Sequence, residues 1–187
     1  DLYELGMSYL GMQILYSAVN SPEMQPFTQS YTANGLFLCE RFFLPDADAR
    51  EFIANSGQPL SSLESAHSLS AFDAVGLSFT HERSFLNLPI ILKLAGIPVL
   101  QSDRPGDGPL VIGGGACMLN PEPIADMLDA VAIGDGEELI LEVASCLSDL
   151  REAPRLVRLK ALSQISGIYI PSFYETRYTQ GSFDELI

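Results

Sequence analysis

Ala74-Val75-Gly76-Leu77-Ser78-Phe79-Thr80 is the stretch from which the fold of this chain is read. Residues 74–79 form a short apolar run that ends in the hydroxyls of Ser78 and Thr80. That is the pattern of a buried central strand delivering polar groups at its C-terminal end. Downstream, the spacing predicts a helix over 82–95 with Gly96 as its cap. A further short strand is expected at 97–100, then a strand over 109–112 that runs into Gly113-Gly114-Gly115. A helix is expected to start near Pro121, whose ring suits a first helical turn. Residues 130–133 read as another strand, and 137–150 as a strong helix with Ile140, Val143, Ala144 and Leu147 on one face.

Upstream, Met7, Leu10, Gly11, Ile14, Leu15 and Ala18 follow the helical i, i+3, i+4, i+7 spacing until Asn20-Ser21-Pro22 ends the run. Residues 36–44 read as a strand, 46–55 as a short helix closed by Gly57 and Pro59, and the serine-rich 58–73 as an irregular excursion. Alternating strands and helices describe a parallel sheet covered on both faces, an α/β doubly wound domain. We place this domain at 1–153. Residues 154–187 carry a helix to about 165 and a hairpin around Gln180-Gly181, read as an added edge or as a linker toward a following domain. A doubly wound sheet places a strand before its first helix, and Asp1 already stands in the turn between them. The first strand is therefore expected to be truncated, or the sheet to be completed another way.

The chain has 187 residues, 47% of them hydrophobic, enough for one sizeable core. A net charge of −14 would repel a phosphate backbone, so no direct nucleic-acid binding is expected. Arg151, Arg155, Arg158 and Lys160 gather basic charge in one segment; a solvated helix face is preferred to a docking patch. No apolar stretch is long enough for a membrane span and no signal peptide opens the sequence, so a soluble protein with no membrane partner is expected. Cys39, Cys117 and Cys146 are widely spaced in apolar surroundings, which suits buried thiols in a reducing cytoplasm.

In open parallel sheets, ligands bind beyond the carboxyl ends of the strands. The turns to search are 1–6, 78–81 and 113–117. Asp1-Leu2-Tyr3-Glu4-Leu5-Gly6, Ser78-Phe79-Thr80 and Gly113-Gly114 together resemble the split signature of cobalamin-binding domains, Asp-x-His-x-x-Gly, Ser-x-Leu and Gly-Gly. The resemblance implies a flavodoxin-like, Rossmann-like fold in which the nucleotide tail of cobalamin threads a slot beside the sheet. It also implies binding roles for Asp1, Tyr3, Gly6, Ser78, Thr80, Gly113 and Gly114. Ser78 and Thr80 would bond the base of the tail, and Gly113 and Gly114 would leave it room. Tyr3 stands where that family has its histidine ligand to cobalt. A phenol must lose a proton before it ligates well, so histidine-type ligation is not expected. Tyr3 either packs beneath the cofactor or is an ordinary amphipathic aromatic.

A broader resemblance rests on the stretch from Asp1 to Gly11, Phe72-Asp73-Ala74-Val75-Gly76-Leu77-Ser78, Asn120-Pro121-Glu122-Pro123, Gly134-Asp135-Gly136-Glu137-Glu138 and Gly167-Ile168-Tyr169-Ile170-Pro171-Ser172-Phe173-Tyr174. The chain resembles the N-terminal, cobalamin-binding-like domain of an uncharacterised group of radical S-adenosylmethionine (SAM) proteins. In such proteins a barrel follows this module and holds a four-iron cluster through Cys-x-x-x-Cys-x-x-Cys. That motif is missing here, which implies that the cluster, SAM and the chemistry belong to a downstream domain, the expected partner.

Rival readings remain for several residues. His81 is expected to cap the helix at Glu82, and His67 has no evident partner. Two histidines without clustered thiols disfavour zinc. Gly113-Gly114-Gly115 also admits a phosphate cradle, but no lysine follows it, and the carboxylates of Asp135-Gly136-Glu137-Glu138 suit a helix dipole rather than a nucleotide. Three functions are carried forward: a cobalamin-type cofactor module, a docking domain whose slot is filled by its own side chains, and a nucleotide-binding domain.

Overall fold

The computed structural model describes residues 3–21, 37–179 and 182–186. In chain order the regular elements are α1 (Tyr3–Ser8), α2 (Leu10–Asn20), α3 (Ala47–Ser56), β1 (Ala74–Ser78), α4 (Leu88–Leu94), β2 (Leu110–Gly114), β3 (Ala130–Ala132), α5 (Gly136–Asp149), α6 (Arg155–Leu162), β4 (Ile168–Tyr169), β5 (Thr176–Thr179) and β6 (Ser182–Leu186). Strands β1 to β4 form one sheet in that order, and β5 and β6 pair as a separate antiparallel hairpin. Pairing is parallel from β1 to β2 and from β2 to β3, and antiparallel from β3 to β4. This is the open, mostly parallel α/β sheet expected of a doubly wound, Rossmann-like domain.

The period of two along each strand sorts the core into two layers. Val75, Val111 and Val131 point to one face and pack with Leu88, Ile91 and Leu92 of α4. Leu110 and Ala130 point to the other, against Leu139, Val143 and Leu147 of α5 and Leu159 and Leu162 of α6. Leu88 and Leu92 are fully buried, each worth about 1.5–3 kcal/mol of apolar transfer. Helix α6 and strand β4 join this second layer, so the sheet continues past residue 154.

Five expected elements differ: the helix expected over 82–95 is a 3-10 stretch at Glu82–Asn87 followed by α4, the helix expected near Pro121 is a 3-10 stretch at Glu122–Met127, and three more depart further. The single helix predicted over 7–18 is two helices, because Tyr9 is extended (φ −80°, ψ 107°) and its ring lies over Gly11. Residues 37–44 form no strand. Their backbone groups are taken instead by side chains and by the serine-rich excursion: Asn20 bonds both the N–H and the carbonyl of Cys39, Glu64 accepts from the Arg41 N–H, and the Leu63 N–H donates to the Arg41 carbonyl. Residues 97–100 are also not a strand, since Pro98 lacks a donor and the carbonyls of Pro98 and Val99 accept from Arg104.

The basic segment also departs from a solvated face. Only Arg151 and Lys160 are exposed; Arg158 is buried on the carbonyls of Gly106 and Gly108, and Arg155 pairs with buried Asp129. Asp129 sits just before β3, where it also accepts from the Val111 N–H and from Arg104, so the carboxylate needs cations nearby.

Candidate functional site

Ser78 and Gly114 end β1 and β2 as register partners, as do Leu77 and Gly113. The chain then turns sharply. The Phe79 N–H donates to the Gly114 carbonyl at 2.8 Å, and the Cys117 N–H donates to the Phe79 carbonyl at 3.1 Å. Gly115 has φ +98°, and a Cβ there would lie 2.7 Å from the Phe79 oxygen. Glycine is needed at this position so that one backbone can pass against another. Amides of this turn are thus committed to protein carbonyls, including Met118 N–H to Gly115, which leaves few donors for a phosphate cradle.

The two sides of the sheet differ at this edge. On the α4 side, a Cβ at Gly113 would come within 2.9 Å of both Leu128 and Met118, so those side chains and Phe79 occupy the space. On the α5 side, among the described residues, a Cβ at Gly76 would meet nothing within 4 Å, and one at Gly114 would first meet Ala132 at 3.9 Å. Gly76 is exposed, and Ser78 and Thr80 are half-buried. Gly76, Ser78 and Gly114 therefore make a shelf of small residues on the α5 side of β1 and β2, bordered by Ile112, the register partner of Gly76, with β1 as the edge strand of the four-stranded sheet.

The first helix supplies a separate cluster. A Cβ at Gly6 would collide with the Phe43 ring at 2.2 Å, and Tyr3 meets the same ring edge-on with centroids 5.5 Å apart. Asp1 lies outside the described residues. Strand pairing brings Ser78 together with Gly114, and Gly113 with Leu77; Tyr3 and Gly6 are instead gathered on Phe43. His81 holds the N-cap position of the turn at 82–87, where its carbonyl accepts from the Ser84 N–H and Oγ. His67 bonds Ser65 Oγ through Nδ1 at 2.5 Å.

Of the cofactors that the resemblance implies, the nucleotide tail of cobalamin fits the residues best, because the shelf at Gly76 and Gly114 is open. Cobalt ligation does not fit, since Tyr3 is turned onto Phe43. An iron–sulfur cluster does not fit either. Cys39, Cys117 and Cys146 lie tens of residues apart in the sequence and gather in no group suited to a metal among the described residues, and burial pushes all three thiols up, Cys39 to about 11 with Glu64 adding to the effect. Among the described residues no group of His, Cys, Asp and Glu is arranged for a metal ion, and no helix is long and apolar enough to cross a membrane.

A sheet of this kind, with polar groups delivered at its strand ends, defines a Rossmann-like α/β module. Residues 11–171 match the family described as "Radical SAM proteins, N-terminal", and the chain belongs to that family. Membership implies SAM and an iron–sulfur cluster in the parent protein. Comparison with curated proteins and with solved structures found no match.

A second constellation escaped the reading by strand ends. Glu122 of the Asn120-Pro121-Glu122-Pro123 stretch accepts a hydrogen bond from the Tyr169 hydroxyl at 3.0 Å, and the Tyr169 and Tyr174 rings lie 5.1 Å apart. These residues line a cavity of about 450 Å³. The signal for it was the pair of family-like stretches at 120–123 and 167–174 that no turn motif accounts for.

Proposed function

We propose that this chain is a non-catalytic cofactor-binding module, of the cobalamin type, within a radical SAM enzyme. The observation that carries this reading is the open shelf formed by Gly76, Ser78 and Gly114 at the carboxyl ends of β1 and β2. Flat ligands approach a sheet closely where side chains are missing, and strand ends are where such sheets bind. Ser78 and Thr80 would bond the tail, with Gly76 and Gly114 beneath it. The lower face of cobalt would carry no protein ligand. When bound, the cofactor would supply a methyl group or electrons to the catalytic barrel.

Incubation of the purified chain with hydroxocobalamin, followed by desalting and a visible spectrum, tests this directly. The expected result is a coloured protein, with colour lost in Gly76→Leu while circular dichroism stays unchanged. A colourless wild-type protein at cofactor concentrations well above micromolar would sink the reading. In a bound sample, Tyr3→His is expected to leave the spectrum unchanged, because the side chain is held on Phe43.

A docking domain is the second reading, and one specific observation favours it. Phe43 fills the space beside Gly6, and Leu128 with Met118 fills that beside Gly113. Leu86 and Leu119, in the turns after β1 and β2, are 73% and 81% exposed. Apolar side chains held in solvent at the same edge suit a protein partner. In that case the colourless result would be accompanied by association with the separately produced barrel.

A further inference from the structure

The cavity beside Glu122 lies away from the strand ends just described. Strand β4 runs antiparallel to β3, with Tyr169 opposite Val131, so the chain after Tyr169 emerges where the parallel strands begin. Here residues 171–175 meet the turn at 122–127, which leads into β3. The cavity holds about 450 Å³, within the range of small-molecule sites. Its lining has a specific chemistry. Glu122, Asp126 and Glu175 supply three carboxylates, Tyr169 and Tyr174 supply two rings, and no lysine, arginine or histidine lines it among the described residues.

We propose that this cavity binds a guanidinium group. A guanidinium is planar, stacks on aromatic faces, and donates paired hydrogen bonds to carboxylates, so rings and acids together suit it better than a compact ammonium. The Tyr169 hydroxyl donates to Glu122 Oε1 at 3.0 Å, which orients that carboxylate and leaves its second oxygen for a ligand. The Tyr169 and Tyr174 rings are tilted by 39°, with centroids 5.1 Å apart, and they stand beside the acids. Such a head group reaches the cavity either on a free small molecule or on an arginine side chain of a polypeptide.

Calorimetric titration of the whole chain, at about 0.15 M ionic strength to screen diffuse attraction to its net charge of −14, provides the test. The probes are agmatine, a short arginine-containing peptide, and 1,4-diaminobutane as the ammonium control. We expect one-to-one binding of agmatine or of the peptide, whichever is the physiological source, at least tenfold tighter than the diamine. Tyrosine emission reports the same event, since the chain has no tryptophan. Glu122→Gln and Tyr174→Leu should each weaken binding about tenfold, with Tyr174→Phe and the remote surface change Glu142→Gln retaining it. Absence of binding by either guanidinium probe, equal affinity for the diamine, or equal loss in Glu142→Gln would overturn the proposal. None of these outcomes bears on hydroxocobalamin, so the two sites stand or fall separately.

Discussion

Arg104 Nη1 lies 2.5 Å from Asp129 Oδ2 with both side chains withdrawn from solvent, 1% and 0% exposed. The same guanidinium donates to the carbonyls of Pro98, Val99 and Met127, and the same carboxylate accepts from the Val111 N–H. One buried pair thus ties the segment before β2, the start of β2 and the approach to β3. Breaking a buried pair leaves an uncompensated charge, which costs about 3–5 kcal/mol. Asp129→Asn is expected to destabilise by that order in urea unfolding. Arg151→Ala, which removes the exposed 3.2 Å pair with Asp73, should cost less than about 1 kcal/mol.

The glycine-rich strand ends yield a contrast within one edge of the sheet. Gly115→Ala is expected to lose about 1–3 kcal/mol, because it combines a positive φ with a Cβ driven into the Phe79 backbone. Gly76→Ala enters open space in an extended strand and should gain about 0.5 kcal/mol from reduced backbone freedom. Thermal unfolding of the two variants side by side checks both signs.

Acid should loosen the excursion at 61–68 before the sheet. The Ser62 and Ser65 hydroxyls hold the Glu40 carboxyl below its usual range. Burial pushes Glu64 up, but backbone and side-chain hydrogen bonds from Arg41 outweigh it and leave that carboxyl lowered. For a carboxyl depressed in the folded state, the stabilisation is present above the unfolded value and is lost as pH falls through the folded one. Hydrogen exchange at the Arg41 and Leu63 amides should therefore quicken below pH ~4 while the Val111 amide stays protected.

At alkaline pH the sign reverses. Burial, with the Glu122 hydrogen bond and charge, pushes Tyr169 up to about 12. The neutral phenol is favoured in the folded state, so stability is intact below the unfolded value and falls as pH rises from there toward the folded one. Ultraviolet titration of the seven tyrosines should show a late ionisation that moves to lower pH in Glu122→Gln.

Much of the framework is legible in the residues alone. The run at 74–78, the glycine turn at 113–115 and the amphipathic face of Val143 and Leu147 each encode local structure through side-chain period and backbone freedom. Where hydrogen-bond partners come from far along the chain, local pattern fails. Residues 37–44 have strand composition, yet Asn20, Leu63 and Glu64 take their backbone groups. Arg155 and Arg158 look like a solvated helix face until Asp129 and the Gly106 and Gly108 carbonyls are placed beneath them.

By itself the sequence determined the α/β class, the strands that begin at Ala74, Leu110 and Ala130 and the absence of a Cys-x-x-x-Cys-x-x-Cys cluster motif, since each is a property of spacing along the chain. Only the tertiary structure decided which glycines open space and which are filled. Gly76 and Gly113 differ by the face of the sheet on which each lies, and a sequence carries no record of what packs against a face until the strands are paired.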